Sequence, residues 1–332
     1  MTTHKTTKNY PAENTAKARR PGRVHPIVIF PYSFADPEKD NGRGLEDLRD
    51  LYSFLSELKK DERYARPITV INRQTFYTNT KWVYKESLQK AFYDVRELID
   101  SQSTILDAWS VDSCQMWLAG FGHAYDEDNP ADDVYWLIPG DFNYAKDIGK
   151  KKEDRLIQKM LQIPEAVLEH DQEMAIGEIT VDINSAKQLI DTYGTYGLLY
   201  NWFPHEAQMI RSITDKPRSE FFAICHSFLR EVLRQRWYAY EQTIIILLQA
   251  ITGKKRVHRV QLGDLSDLPQ GREKLSAAMQ QVERTERALK LFWRERNVNE
   301  SDWAERFKRL DVQSGQIRGA ALVILENLLI YP

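Results

Sequence analysis

A single carboxylate, Asp141, closes the stretch Asp132-Asp133-Val134-Tyr135-Trp136-Leu137-Ile138-Pro139-Gly140-Asp141. The apolar run reads as a buried strand that stops where Pro139 and Gly140 force a turn. A hard oxygen donor at the carboxyl end of a strand suits a divalent ion, and ligands of open α/β sheets gather at that edge. The plainer alternative is that Asp141 caps the turn that follows. Asp126, Asp128, Asp132 and Asp133 precede the strand. They belong at its other end, on the order of 15–17 Å away, as a solvated loop.

Three other spots have side chains suited to chemistry. Lys216-Pro217-Arg218-Ser219-Glu220 sets two cations at the start of a segment that reads as a helix. Cations and first-turn amides together attract phosphate; an ordinary helix start with surface charges is the bland reading. In Tyr238-Ala239-Tyr240-Glu241-Gln242, Glu241 has the chemistry of a catalytic carboxylate, or of a helix-start acid beside core tyrosines. His123, after Gly120-Phe121-Gly122, is a base or ligand candidate and equally a neutral, hydrogen-bonded ring. The chain has no Gly-x-Ser-x-Gly, no Walker sequence and no Gly-x-Gly-x-x-Gly after its first strand. A nucleophile elbow, a P-loop and a dinucleotide fingerprint are disfavoured.

The elements that must position these residues alternate. Residues 1–24 are polar and aperiodic and read as a disordered tail. His25 to Ser33 gives a first strand, Leu45 to Lys60 a helix, Pro67 to Asn72 a second strand and Trp82 to Ile99 a helix. Ser113 to Phe121 reads as the third strand, the opening stretch as the fourth and Met174 to Val181 as the fifth, with a helix over Leu156 to Leu168 interrupted at Pro164. This pattern predicts a three-layer α/β fold with a mostly parallel, Rossmann-like sheet over residues 25–265. Gly194-Thr195-Tyr196-Gly197 reads as a glycine-bracketed turn before the aromatic cluster Tyr200, Trp202 and Phe203. Ser219 to Gln235 and Tyr240 to Ile251 read as helices, and Val257 to Leu262 as one more strand. Helices over Arg272–Glu295, Ser301–Leu310 and Ile317–Leu329 make a helical region of residues 266–332.

With 332 residues the chain can bury a full core. A formal net charge of −2 gives no basic field for nucleic acid. Cys114 and Cys225 lack metal-ligand spacing and read as free thiols, which fits a cytoplasmic setting. No apolar run is long enough to span a bilayer; peripheral membrane contact and homo-oligomerisation stay open.

Taken in order, these parts resemble a GT-A-type glycosyltransferase, nearest to the family-2 group that includes dolichyl-phosphate mannose synthases. His25 to Ser33 resembles that family's opening strand, and Val134 to Tyr144 the strand ending in its metal-binding Asp-x-Asp. Gly177-Glu178, Arg218 to Leu233, Tyr240-Glu241, Val257 to Leu262 and Arg272-Glu273-Lys274 follow in the family's order. The resemblance implies sugar transfer from a nucleotide-diphosphate donor to an acceptor it does not name, with Mg or Mn as cofactor. It implies Tyr32 and Ser33 on the nucleotide, Asp141 on the metal, Arg218 on the leaving diphosphate, and Glu241 or Glu178 on the acceptor or as base. In this chain the Asp-x-Asp reads Pro139-Gly140-Asp141, and Asn72-Arg73 stands where an acidic residue is usual.

Two other classes compete. Gly120 to His123 followed by Tyr135 to Asp141 resembles a caspase-like fold, although Ile176-Gly177-Glu178 stands where its catalytic Cys belongs. In a non-catalytic interaction protein, Trp293, Trp303 and Phe307 would form a partner surface, against the alternative that they pack on the α/β part.

Overall fold

The computed structural model describes residues 22–30, 43–72, 99, 103–108, 113–140, 142, 144, 149–180, 186–236, 242–264 and 272–330. Among these residues seven strands form one sheet: β1 (Val24–Phe30), β2 (Ile68–Asn72), β3 (Thr104–Ala108), β4 (Val134–Pro139), β5 (Met174–Thr180), β6 (Phe222–Cys225) and β7 (Val257–Asp264). Their order is β3-β2-β1-β4-β6-β5-β7. Six run in one direction, and β6 alone is antiparallel to its neighbours β4 and β5. Pro26 is tolerated in a central strand because β2 joins β1 only from Ile27 onward.

Successive residues of the central strands face opposite layers. Ile27, Ile29, Tyr135 and Leu137 belong to one core, while Val28, Val134, Trp136 and Ile138 belong to the other. Every residue of β4 is buried, as its unbroken apolar run requires of a strand covered on both faces. The second core is covered by α1 (Arg43–Leu58), α3 (Leu156–Lys159) and α4 (Gln162–Glu169). Against the first lie α2 (Ser113–Ala124), α6 (Tyr196–Trp202), α7 (Pro204–Ile213), α8 (His226–Leu233), α9 (Gln242–Thr252), α10 (Arg272–Asn297) and α11 (Trp303–Ile330). The three-layer, mostly parallel α/β fold with C-terminal helices is thus as expected.

Several elements differ from the sequence reading. Ser113 to Phe121 is helix, not strand: Cys-Gln-Met-Trp-Leu-Ala has no β-branched residue, and Met, Leu and Ala favour helix. Gly120 lets that helix lie close on the sheet, since a Cβ there would stand 2.6 Å from Ile27 Cγ2. The third strand is the short edge segment Thr104–Ala108. His123, in the last turn of α2, is exposed and not at a strand end, which removes the caspase-like arrangement. Phe222–Cys225 is a strand inside a stretch whose apolar spacing imitates a helix, and α8 begins only at His226.

Gly194 to Gly197 is not a turn. A short helix α5 (Ala186–Leu189) runs into a π-helical turn, Ile190–Thr195, and then into α6. The two glycines make room for the C-terminal hairpin: a Cβ on Gly194 would stand 2.7 Å from Val282 Cγ2 of α10, and one on Gly197 2.9 Å from Ile317 Cγ2 of α11. The two last helices of the sequence reading are one 28-residue helix, α11. Trp293 is buried, and Phe307 packs against Trp202 at 5.5 Å and Trp293 at 6.0 Å, so these rings pack on the α/β part instead of forming a partner surface. Trp202 Nε1 donates to Ser314 Oγ at 3.1 Å, and Ser314 Oγ donates to the buried Glu286, which also holds Lys290 and Arg318.

Candidate functional site

The strand order reverses between β1 and β4, and such a switch point opens a crevice at the carboxyl ends of the two strands. There the Gly140 N–H donates to the Ile29 carbonyl at 2.7 Å, fixing the end of β4 to the end of β1. The buried Tyr144 donates its hydroxyl to the Pro139 carbonyl, and Phe142 packs edge-on against Phe221 at 4.6 Å. Because β6 is reversed, its start, and the segment 214–221 that leads into it, lies at this same edge beside β4 and β5.

Segment 214–221 is anchored to β5 by side chains. Glu178 Oε2 accepts from Thr214 Oγ1 at 2.7 Å and from the Asp215 N–H at 2.8 Å, while Oε1 accepts from Gln261 Nε2 at 3.1 Å. Arg259 Nη1 stands 3.7 Å away. Burial pushes the Glu178 pKa up, but these hydrogen bonds and Arg259 outweigh it and leave the carboxyl below its ordinary value. Ser219 Oγ donates to the Gly177 carbonyl at 2.6 Å. Gly177 has no space for a side chain: a Cβ would meet Leu262 Cδ1 at 2.6 Å and Phe221 Cβ at 2.9 Å. Glu178 faces Gln261 in the unbroken β5–β7 register, and just beyond, a β-bulge between Glu178 and Ile179 moves Ile179 opposite Gly263.

Two cations project from this loop into a buried polar cluster. Arg218 Nε donates to Asp191 Oδ1 at 2.7 Å and Nη1 to Gln281 Oε1 at 2.6 Å. Lys216 Nζ donates to Gln188 Oε1 at 2.6 Å and lies 3.7 Å from Asp191 Oδ2. No helix starts at these cations, contrary to the sequence reading; the chain enters β6 instead.

Of the residues singled out from the sequence, Glu178 and Arg218 are described, and both belong to this edge. Tyr32, Ser33, Asp141 and Glu241 lie outside the described residues, as does Asn72-Arg73 apart from the Asn72 backbone. Asp126, Asp128 and Asp132 are exposed before β4, while Asp133 is buried and structural. Among the described residues no three His, Cys, Asp or Glu side chains are placed to hold a metal ion, and no helix is long and apolar enough to cross a membrane. Asp191, Gln188 and Gln281 were not legible as site residues, since each is an ordinary polar residue in a helical stretch whose partner is distant in sequence.

No protein-family model matches the chain, and no curated protein matches its sequence. Solved structures do. Glucosyl-3-phosphoglycerate synthase from Mycobacterium tuberculosis in complex with phosphoglyceric acid matches with a TM-score of 0.51 at 12% identity, over 81% of this chain and 80% of that one. The same enzyme with Mn2+ and UDP-glucose matches with a TM-score of 0.52 at 10% identity, over 81% and 79%. With UDP alone the TM-score is 0.52 at 11% identity, over 81% and 80%. At such identities the likeness is one of fold, and it is the GT-A-type fold that the order of motifs implied.

Proposed function

We propose that this chain is a glycosyltransferase that moves a sugar from a nucleotide-diphosphate donor to an acceptor at the carboxyl edge between β1, β4 and β6. One observation supports the reading: the strand order reverses at β1 and β4, and the reversed β6 starts at that same edge of the sheet, where the loop that carries Lys216 and Arg218 enters it. The solved proteins that share the fold support it, because they hold UDP-glucose and Mn2+. Tyr32 and Ser33, next in the chain after β1, are the candidates for the nucleotide, and Asp141, next after Gly140, for a Mg or Mn ion. One carboxylate plus the donor's own phosphate oxygens is a donor set that such an ion accepts, and the bound ion would supply charge neutralisation on the diphosphate.

In the reaction, the bond between an acceptor hydroxyl oxygen and the anomeric carbon forms as the bond from that carbon to the diphosphate breaks. The nucleoside diphosphate departs with the bonding electrons, and the hydroxyl proton passes to a base, for which Glu241 is the candidate. Arg218 is held in one orientation by Asp191 and Gln281, so its charge acts on the departing diphosphate without reorganising. The hydrogen bonds that Glu178 accepts from Thr214, Asp215 and Gln261 favour Glu241 over Glu178 as that base. Titration calorimetry with a panel of nucleotide sugars tests the proposal. Binding that requires Mn2+ and weakens by at least about tenfold in Asp141→Ala, about 1.4 kcal/mol, is expected. Absence of binding to the wild type, or unchanged binding by Asp141→Ala, would overturn it.

A further inference from the structure

We infer that the π-helical turn Ile190–Thr195 is a positioning device for the cationic loop, and that Asp191 is its positioning residue. The inference rests on the transferase reading for its consequence, but its geometry stands apart from that reading. A π-turn is rare inside a helix and recurs at functional sites. Here the Tyr196 N–H donates to the Asp191 carbonyl, five residues back. In an α-helix residues five apart point about 140° away from each other, whereas an i→i+5 turn brings them nearly one above the other.

Both stacked residues hold the same loop. Asp191 accepts from Arg218 Nε at 2.7 Å and stands 3.7 Å from Lys216 Nζ, and the Tyr196 hydroxyl donates to the Thr214 carbonyl at 2.5 Å. The widened turn thus grips the loop at its start and at its two cations. All three charged side chains are nearly buried, with exposures of 5% for Asp191, 11% for Lys216 and 13% for Arg218. Gln188, three residues before Asp191, takes the Lys216 ammonium, and Gln281 of α10 takes the second Arg218 donor. Gly194 seats the turn on Val282, the residue after Gln281. The C-terminal hairpin is therefore a working part of the site, because it supplies both a wall for the turn and an acceptor for Arg218.

The experiment is a double-mutant cycle between Asp191→Asn and Arg218→Ala, read by calorimetry with UDP-glucose and Mn2+ and accompanied by thermal melts. Asp191→Asn keeps the shape and one acceptor but removes the counter-charge of two nearly buried cations, so the melting temperature should fall by several degrees, and binding is read well below the transition. Affinity should fall by about tenfold, and the double variant should bind no more weakly than Arg218→Ala alone. Asp191→Glu, which restores the charge, should recover part of the loss. Wild-type affinity in Asp191→Asn, or two losses that multiply in the double variant, would overturn the inference. If the wild type binds no nucleotide sugar, the transferase reading fails and the positioning role is then read from Arg218 itself. Its Nε–Hε proton resonance should exchange slowly in the wild type and fast in Asp191→Asn, and an identical resonance in both would overturn the inference.

Discussion

Two buried polar networks sit at opposite edges of the same sheet, and they are built for different ends. At the amino edge Asp133 accepts from the Arg23 N–H at 2.8 Å and pairs with His25 Nε2 at 2.8 Å. The Tyr135 hydroxyl accepts from Asn129 Nδ2 at 3.1 Å and is hydrogen-bonded to His226 Nδ1 at 3.0 Å. His25 stacks on Tyr135 and His226 on Tyr125, with ring centroids 5.0 and 4.9 Å apart. This network ties β1 to β4 and to the end of β6, so it holds strands. At the carboxyl edge the acceptors Glu178, Asp191 and Gln281 hold a loop and its cations. Burial and hydrogen bonding are alike in the two; what each network holds separates a structural site from a candidate working one.

The largest effect that can break this contrast is Asp133→Ala. It removes a buried carboxylate and strands a half-buried N–H and a half-buried imidazole, so a loss of about 2–4 kcal/mol is expected from denaturant melts. Below the melting transition, nucleotide-sugar affinity should be that of the wild type. A folded Asp133→Ala protein that no longer binds would show that the amino edge also serves the ligand, and the division between the edges would fall. Asp191→Asn is its counterpart at the carboxyl edge: it also costs stability, but below its own melting transition nucleotide-sugar affinity should fall by about tenfold.

Much of this contrast was unreadable in the sequence for a physical reason. β1, β2, β4, β5 and β7 declare themselves by branched or aromatic runs bounded by Pro, Gly or charged residues. β3 and β6 do not: β3 is five residues at the edge with Asp107 inside it, and β6 is four residues whose last, Cys225, is also the N-cap of α8. The π-turn left no local mark, because Gly194 and Gly197 look like turn glycines until Val282 and Ile317 are known to press on them. Glu178 and Arg218 were singled out from their place in the order of elements, Glu178 for the acceptor or as base and Arg218 for the diphosphate. Their partners Thr214, Gln261, Asp191 and Gln281 lie 27 to 83 residues away, beyond any periodicity.

A middle-sized effect comes from Glu178→Gln. The amide places two donors where Thr214, Asp215 and Gln261 already donate, and a loss of about 1–3 kcal/mol is expected. The carboxyl of Glu178 lies below its ordinary 4.5, despite burial, through those three hydrogen bonds and Arg259. The unfolded chain therefore takes up the proton first on acidification. The stabilisation is present above about 4.5 and is lost as pH falls through the folded value. Melts of wild type and Glu178→Gln should converge below that range, and equal spacing of the two curves at every pH would refute the assignment. Because Glu178 holds the loop, loop amides such as that of Asp215 should also exchange faster in the variant, which the amino-edge substitution should not cause.

The smallest effect belongs to His226 and sharpens the contrast from the amino side. Burial holds its pKa below the ordinary 6.5; Arg230 and His25 act in the same direction, and Asp133 and Asp126 oppose them. His226 Nδ1 shares a hydrogen bond with the Tyr135 hydroxyl, and the buried ring is favoured neutral. In the unfolded chain the imidazole charges at its ordinary value. Stability is therefore complete above 6.5 and declines as pH falls from there toward the folded value, a gentle slope rather than a step. His226→Asn, which keeps an acceptor for Tyr135, should flatten that slope between neutrality and the range where Glu178 begins to titrate. If the slope persists unchanged in His226→Asn, it arises elsewhere and the assignment to His226 falls. If instead His226→Asn alters nucleotide-sugar affinity at constant stability, the amino edge reaches the site, and the two networks act as one.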